Sequence, residues 1–243
     1  VSNDEKAVAL GHPSYVWRFG QERRLALIRE HAPLEGRRVL DIGCGIGMYV
    51  RAFRRFTDEA YGVEFDRERA VEAGRDLPFI VQAASEFLPF ADNTFDVVLL
   101  HEVIEHVAND RQTVHEAHRV TKWGGVLVIF APNRLFPFET HGAYLPGRGY
   151  VFGNIPLVGY LPNPLRDRLA PHVRAYLPGA IRRLFRGLPG RVLVETAIYP
   201  GFDNIVARRP RLGALLRQVL YALERSPLKW FGLSHLVVVR KQF

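Results

Sequence analysis

The chain has 243 residues, 48% of them hydrophobic, and a formal net charge of +8. That is enough for one large domain with its own core, while the apolar runs are strand-sized and too short for a bilayer span. Cys44 is the single cysteine, which excludes an intrachain disulfide and a cysteine zinc cluster. The opening VSNDEKAVAL has mixed charges and no apolar h-region, so it does not read as a signal peptide, and a reducing cytoplasm is the expected compartment. The charge is unevenly placed: residues 1–150 sum to −3 and residues 151–243 to +11. A basic C-terminal part suits an anionic partner, although a solvated basic surface would read the same way.

In chain order, residues 20–31 (GQERRLALIREH) have the period of an amphipathic helix. RRVLDI is a buried strand, and MYVRAFRRF takes a helical pattern. EAYGVEF and PFIVQA read as strands on either side of the helical DRERAVEAGRD. FDVVLLHEV is a fourth strand, NDRQTVHEAHRVT a helix, and GGVLVIFAPN a fifth strand. Strands alternating with helices at these lengths imply a parallel sheet with right-handed crossovers. Residues 134–176 are rich in Pro, Gly and aromatics with no clean period, as expected of a lid. LPGAIRRLFRGLPG is helical, RVLVETAIY a strand, and SHLVVVRK a last strand. Residues 211–225 form an amphipathic helix with Leu212, Leu215, Leu216, Val219, Leu220 and Leu223 on one stripe. A stripe packed on the core is the preferred reading, with docking on anionic lipid as its rival.

Asp41-Ile-Gly43-Cys-Gly45-Ile-Gly47 lies between a strand and a helix. Glycines there permit a tight turn and close approach of a ligand to the backbone. The spacing is tighter than a dinucleotide fingerprint, and no Gly-Lys-Ser/Thr follows to make a P-loop. Asp41 at the mouth of the turn would repel a phosphate and welcome a cation or hydroxyls. Glu64, about 20 residues beyond the first glycine, ends the second strand, where an acid can accept hydrogen bonds from ribose hydroxyls.

VLDIGCGIG, YGVEFD, LPFADNTFDVVLLHEVIEHV and HRVTKWGGVLVIFAPN together resemble class I S-adenosylmethionine-dependent methyltransferases, in particular the widespread small-molecule group with an LPF…FDVV…EH pattern. The resemblance covers residues 37–133. It implies an α/β, Rossmann-like three-layer sandwich with a seven-stranded, mostly parallel sheet whose last strand is antiparallel. It implies S-adenosyl-L-methionine as cofactor and S-adenosyl-L-homocysteine as product. By position, Gly43, Gly45 and Gly47 would lie beneath the methionyl part, with Asp41 near its ammonium. Glu64 would bind the ribose, Phe65 would lie against the adenine, and Ser85 and Glu86 would flank the adenine edge. His101 would line the boundary between sulfonium and acceptor. The chain departs from the family at Ala84, where Asp is common, and at Trp123-Gly124-Gly125, where Pro-Gly-Gly is usual.

On this basis residues 1–243 are expected to form a single methyltransferase domain. Residues 1–36 would be an N-terminal flap and helix, and residues 134–176 and 200–231 lid insertions over one pocket. In the flap, Tyr15, Trp17 and Arg18 are expected to fold over the cofactor, with a carboxylate as partner for Arg18. Methyl transfer gains mainly from proximity and desolvation, and needs a base only where the acceptor must lose a proton. His101, Glu102, Glu105, His106, Glu139, His141 and His172 are the pool. His141, His101 and Glu139 are the catalytic candidates, with His141 preferred because an imidazole ionises nearest neutrality. Glu105 and His106 read as helix capping and surface pairing. His115 and His118 share a helix face that is expected to meet solvent. None of the nine histidines has a convincing metal spacing, so no metal is expected.

The expected function is methyl transfer to a small-molecule acceptor, acidic or lipid-linked, with an anionic membrane surface as a further partner. Two alternatives are weighed. An RNA methyltransferase could use the basic C-terminal part, but HEVI stands where an NPPY-like tetrapeptide would follow strand four. Against a non-catalytic cofactor-binding or scaffold protein stands the intact Asp41, glycine and Glu64 set.

Overall fold

The structure is a computed structural model and describes residues 16–243. Helix α1 (Phe19–His31) buries Leu25 and Ile28 completely, as its period predicts. Strand β1 (Val39–Ile42) has every residue buried and runs through the glycine turn into α2 (Met48–Phe53). Then come β2 (Ala60–Glu64), α3 (Arg67–Gly74), β3 (Ile80–Gln82), β4 (Phe95–His101), α4 (Asp110–Val120) and β5 (Thr121–Pro132). Asp66 starts α3 by accepting from the Arg69 amide, and Asn109 starts α4 through the Gln112 amide, so both helices have side-chain N-caps.

Beyond β5 the chain forms short strands β6 (Phe138–Glu139), β7 (Ala143–Leu145), β8 (Gly149–Val151) and β9 (Ile155–Pro156). Helices α5 (Asn163–Leu169) and α6 (Ala180–Leu184), strand β10 (Gly190–Ile198), helices α7 (Asp203–Arg208) and α8 (Pro210–Leu223), and strand β11 (Ser234–Lys241) complete it. The main sheet has seven strands in the order β10-β11-β5-β4-β1-β2-β3. Its pairs are parallel except that β11 runs antiparallel to both β5 and β10. This is the expected α/β architecture.

Alternation along the strands divides the core into two layers. Val39, Leu99, Val128, Phe130 and Val238 face α1 and α2, meeting Leu25, Ile28, Val50 and Phe53. Leu40, Ile42, Leu100, Leu127 and Ile129 face the other side, with Val114, Ala117, Ile181 and Phe185. Full burial of one such side chain contributes about 2 kcal/mol.

Four expectations need correction. Residues 134–176, which have no clean period, nevertheless hold regular structure: two small antiparallel pairs, β6 with β9 and β7 with β8, plus α5. Their strands of two or three residues are too short to show a period. His118 is buried, its Nε2 against the Pro189 carbonyl at 2.8 Å, because α4 packs that face under the segment leading to β10. Helix α8 buries only Gly213; Leu212, Leu215 and Val219 remain 41%, 56% and 48% exposed, so its stripe is not a core face. Glu105 is 1% exposed and sits in a turn between β4 and α4, so it neither caps a helix nor pairs at the surface.

Candidate active site

One cavity of about 820 Å³ opens beyond the carboxyl ends of β1, β2 and β4, well within the range of ligand clefts. In a parallel sheet this is the edge where ligands gather. Gly43 and Gly45 both take positive φ, at 72° and 56°, where a side chain is strained. They differ in surroundings. A Cβ on Gly43 would meet Val103 Cγ2 at 2.5 Å, whereas nothing lies within 4 Å of one on Gly45. Gly43 is therefore needed for packing, and Gly45 keeps open the floor of the cavity. Gly43→Ala is expected to lower stability by about 1–3 kcal/mol in chemical denaturation, from strain and the Val103 clash together. Cys44 packs against Gly62, whose Cβ would stand 2.7 Å from its sulfur, and burial pushes its thiol far up, so it is structural filler.

The Gly45 amide donates to Glu64 Oε2 and the Asp66 amide to Glu64 Oε1, both at 2.8 Å. The carboxylate is thus held rigid with a further lone pair on each oxygen. Asp41 is 2% exposed; burial, and then the charge of Glu64, push its carboxyl well above the ordinary range. Phe65 stands 62% exposed at the rim. The Ser85 hydroxyl lies 3.1 Å from that of Thr113, and Glu86 accepts from the Asn109 amide at 3.2 Å.

A polar cluster closes another wall. Arg24 Nη1 donates to His101 Nε2 at 2.8 Å, and Arg24 Nη2 to the Ser234 hydroxyl at 2.7 Å. Ser234 in turn donates to Glu102 at 2.6 Å, and Arg24 pairs with Glu102 at 3.2 Å. Because a guanidinium only donates, His101 Nε2 must be the acceptor, which fixes a neutral tautomer. Burial and then Arg24 push the His101 pKa down to about 3. Glu102 has φ of 55°, and this non-glycine strain at the cavity wall is held in place by the cluster. Burial opposes ionisation of Glu102, but the charge of Arg24 and the hydrogen bond from Ser234 outweigh it and keep its carboxyl below the ordinary range.

Asp41, Gly43, Gly45, Glu64, Phe65, Ser85, Glu86, His101 and His141 all line this cavity. Gly47 does not; it forms the left-handed N-cap of α2 just behind the turn. Glu139 is also absent from the wall. It is buried behind His141, with Oε1 3.1 Å from His141 Nδ1 and Oε2 3.5 Å from Arg166. Thr140, His141 and Phe152 bring the first insertion into the cavity, but no residue of 200–231 lines it. Instead that segment braces α1: Asp203 accepts from the Phe19 and Gly20 amides, Glu224 pairs with Arg23, and the Arg217 guanidinium lies 3.8 Å from the Phe19 ring centroid. Trp17 packs on Tyr49 rather than over the cavity, and Arg18 donates to Asn204 and has no carboxylate partner among the described residues. Tyr15 lies outside the described residues.

Arg24, Tyr49 and Ser234 were not expected in the site. Arg24 carried a faint signal, since it shares a helix face with Ile28, four residues on and buried. No local pattern marks Ser234, which reaches the cavity only because β11 inserts beside β5.

Residues 40–129 match the family model described as a methyltransferase domain. That stretch, from β1 to within β5, is similar to a methyltransferase domain. Its match to an uncharacterized methyltransferase of Mycobacterium leprae is 39% identical over 114 residues, covering 45% of this chain and 42% of the relative. A ubiquinone biosynthesis O-methyltransferase of Mesorhizobium japonicum is 32% identical over 146 residues, covering 57% and 55%. The chain thus spans about half the length of the curated relatives it matches. The crystal structure of an S-adenosylmethionine-dependent methyltransferase from Mesorhizobium loti superposes with a TM-score of 0.61 at 18% identity, over 89% of this chain and 96% of that one, a likeness of fold.

The cavity fits S-adenosylmethionine, the cofactor that the sequence resemblance implies. The glycine turn leaves open space above Gly45 beside two acids. Acids in that position suit an ammonium and ribose hydroxyls and would repel a diphosphate.

Proposed function

We propose that the chain transfers the methyl group of S-adenosylmethionine to a small-molecule acceptor. The observation that carries this reading is the pairing of Asp41 and Glu64 at the glycine turn in the same cavity that His101 and His141 line. When bound, S-adenosylmethionine supplies an activated sulfonium methyl. Asp41 holds the ammonium and Glu64 the ribose hydroxyls. Gly43, Gly45 and Gly47 shape the turn, Phe65 covers the adenine, and Ser85 and Glu86 flank its edge. His101, kept neutral by Arg24, puts no second cation beside the sulfonium. His141 donates from Nδ1 to Glu139, so its Nε2 is available to accept a proton from the acceptor. Glu139 is then a positioning residue, because it stands behind the imidazole.

Residues 16–243 work as one domain in this reading, with 134–176 as the acceptor-side wall. Isothermal titration with S-adenosylhomocysteine tests it: saturable one-site binding is expected, and no binding by protein that is folded by circular dichroism would overturn it.

The ubiquinone biosynthesis relative supports an apolar or lipid-linked acceptor. So does α8, whose exposed Leu212, Leu215 and Val219 lie beside exposed Arg208, Arg209 and Arg211, the arrangement of a helix that lies on an anionic lipid surface. No helix among the described residues is long and apolar enough to cross a membrane. The chain is therefore expected to float with phosphatidylserine vesicles at low salt and to be released at high salt. Leu215→Ser combined with Val219→Ser should reduce the floated fraction several-fold; failure of the wild-type chain to float at low salt removes membrane docking.

A further inference from the structure

Glu105, His106 and His141 come together in the fold although 35 positions separate the last two. One ligand atom from each lies within 4.8 Å of the others. His106 and His141 line the cavity, and Glu105 lies directly behind them. Glu105 is 1% exposed, and neither carboxyl oxygen has a hydrogen-bond donor among the described residues. The buried Nδ1 of His106 also lacks a partner. Unpartnered buried polar atoms are costly, and three in one spot call for an occupant.

We propose that Glu105, His106 and His141 bind a divalent transition-metal ion in the wall of the cavity. Two imidazoles and a carboxylate suit zinc, manganese or iron better than magnesium or calcium, which prefer all-oxygen sets. At metal–ligand distances of about 2.1 Å, tetrahedral ligand atoms stand about 3.4 Å apart. The outer arrangement is already in place: His141 Nδ1 faces Glu139 Oε1 at 3.1 Å, and Arg166 holds Glu139 at 3.5 Å. A carboxylate behind a ligating imidazole fixes its tautomer and raises its basicity. The competing occupant is a proton. Burial, and then the charge of Glu102, push the Glu105 carboxyl well above the ordinary range and so favour that proton when no metal is bound.

Three protein ligands leave coordination positions facing the cavity. These would take an oxygen-bearing acceptor and favour a hydroxyl over an amine; this choice of acceptor rests on the methyltransferase reading, whereas metal binding does not. With a metal present, His141 holds the ion instead of taking a proton.

The test is titration of the chelator-treated full chain with Co²⁺, followed by visible absorption, and with Zn²⁺, followed by calorimetry. One ion per chain is expected, with cobalt bands of a nitrogen- and oxygen-ligated ion. Glu105→Gln and His141→Ala should each weaken binding about 10-fold or more. Glu35→Gln, at the far surface, should not. Absence of binding by the wild-type chain overturns the proposal, as does binding undiminished in both variants. If Glu105→Gln does not fold by circular dichroism, His141→Ala decides alone, because its partly exposed ring can be removed without a buried void. S-adenosylhomocysteine is titrated separately into the chelator-treated chain. Cofactor binding without metal binding overturns the metal site and keeps the methyltransferase reading; metal binding without cofactor binding does the reverse.

Discussion

Glu64→Ala is expected to weaken S-adenosylhomocysteine binding about 100-fold. Two hydrogen bonds to a rigid carboxylate are worth about 1.5 kcal/mol each, and about 3 kcal/mol is two decades in affinity. The figure assumes that both ribose hydroxyls bond to Glu64, one to each oxygen. Those oxygens are prepared for the task, since the Gly45 and Asp66 amides already fix their positions. The same amides complicate the alanine variant, which also loosens the turn. Glu64→Gln narrows the comparison: it keeps one acceptor and removes the charge but turns an NH2 toward one of the two backbone amides, so a loss of about 10-fold is expected with a smaller fall in melting temperature than in the alanine variant. Calorimetry on both variants decides. A change below about threefold in Glu64→Ala would exclude Glu64 as the ribose partner.

Asp41→Asn is expected to move stability and binding in opposite directions. Burial, and then the charge of Glu64, hold the Asp41 carboxyl well above its ordinary range. The folded chain therefore keeps this proton to a higher pH than the unfolded chain does. Below the unfolded value, near pH 3.9, the group costs nothing. As pH rises from there toward the folded value, stability is progressively lost. Asparagine removes that loss, so the variant should melt above the wild type at pH 7–8 and level with it near about pH 3. Cofactor binding should fall about 10-fold or more, because an amide cannot neutralise an ammonium. Thermal melts across pH together with calorimetry check both halves. If the variant matches the wild type in melting at pH 8, the Asp41 carboxyl is not raised by burial.

These two residues were readable in the sequence because a short strand, a glycine turn and an acid at the end of the next strand are contiguous or at fixed intervals. The sheet was readable for the same reason: Val39–Ile42 and Phe95–His101 are apolar runs of strand length between helical periods. Elsewhere a local pattern carries only half of the information. The period of Leu212, Leu215 and Val219 predicts a one-sided helix correctly, but a period cannot say what covers the apolar side. Glu105 and His106 have the spacing of a helix surface, yet the Arg174 amide bonds to the Glu105 carbonyl at 3.1 Å and Tyr176 to that of Ile104 at 3.0 Å, which seals the turn under a segment some 70 residues distant. Arg24 and Ser234 lie more than 200 positions apart and meet only through the tertiary fold.

Ser234 opens β11, and β11 lies inside the sheet, hydrogen-bonded on one side to β5 and on the other to β10. Translation delivers this strand after every other strand of the sheet. Until then a gap separates β5 from β10, and Arg24, already made, has neither the Ser234 hydroxyl nor the wall that Leu233 and Ser234 provide. The glycine turn and Glu64 can be complete on a nascent chain whose cavity still lacks one side. Competence to enclose a ligand is thus acquired in a single late event, the insertion of one strand into a waiting slot. Long-range pairings of this kind form slowly, so ligand enclosure should appear in refolding with the slowest folding phase rather than with early helix formation.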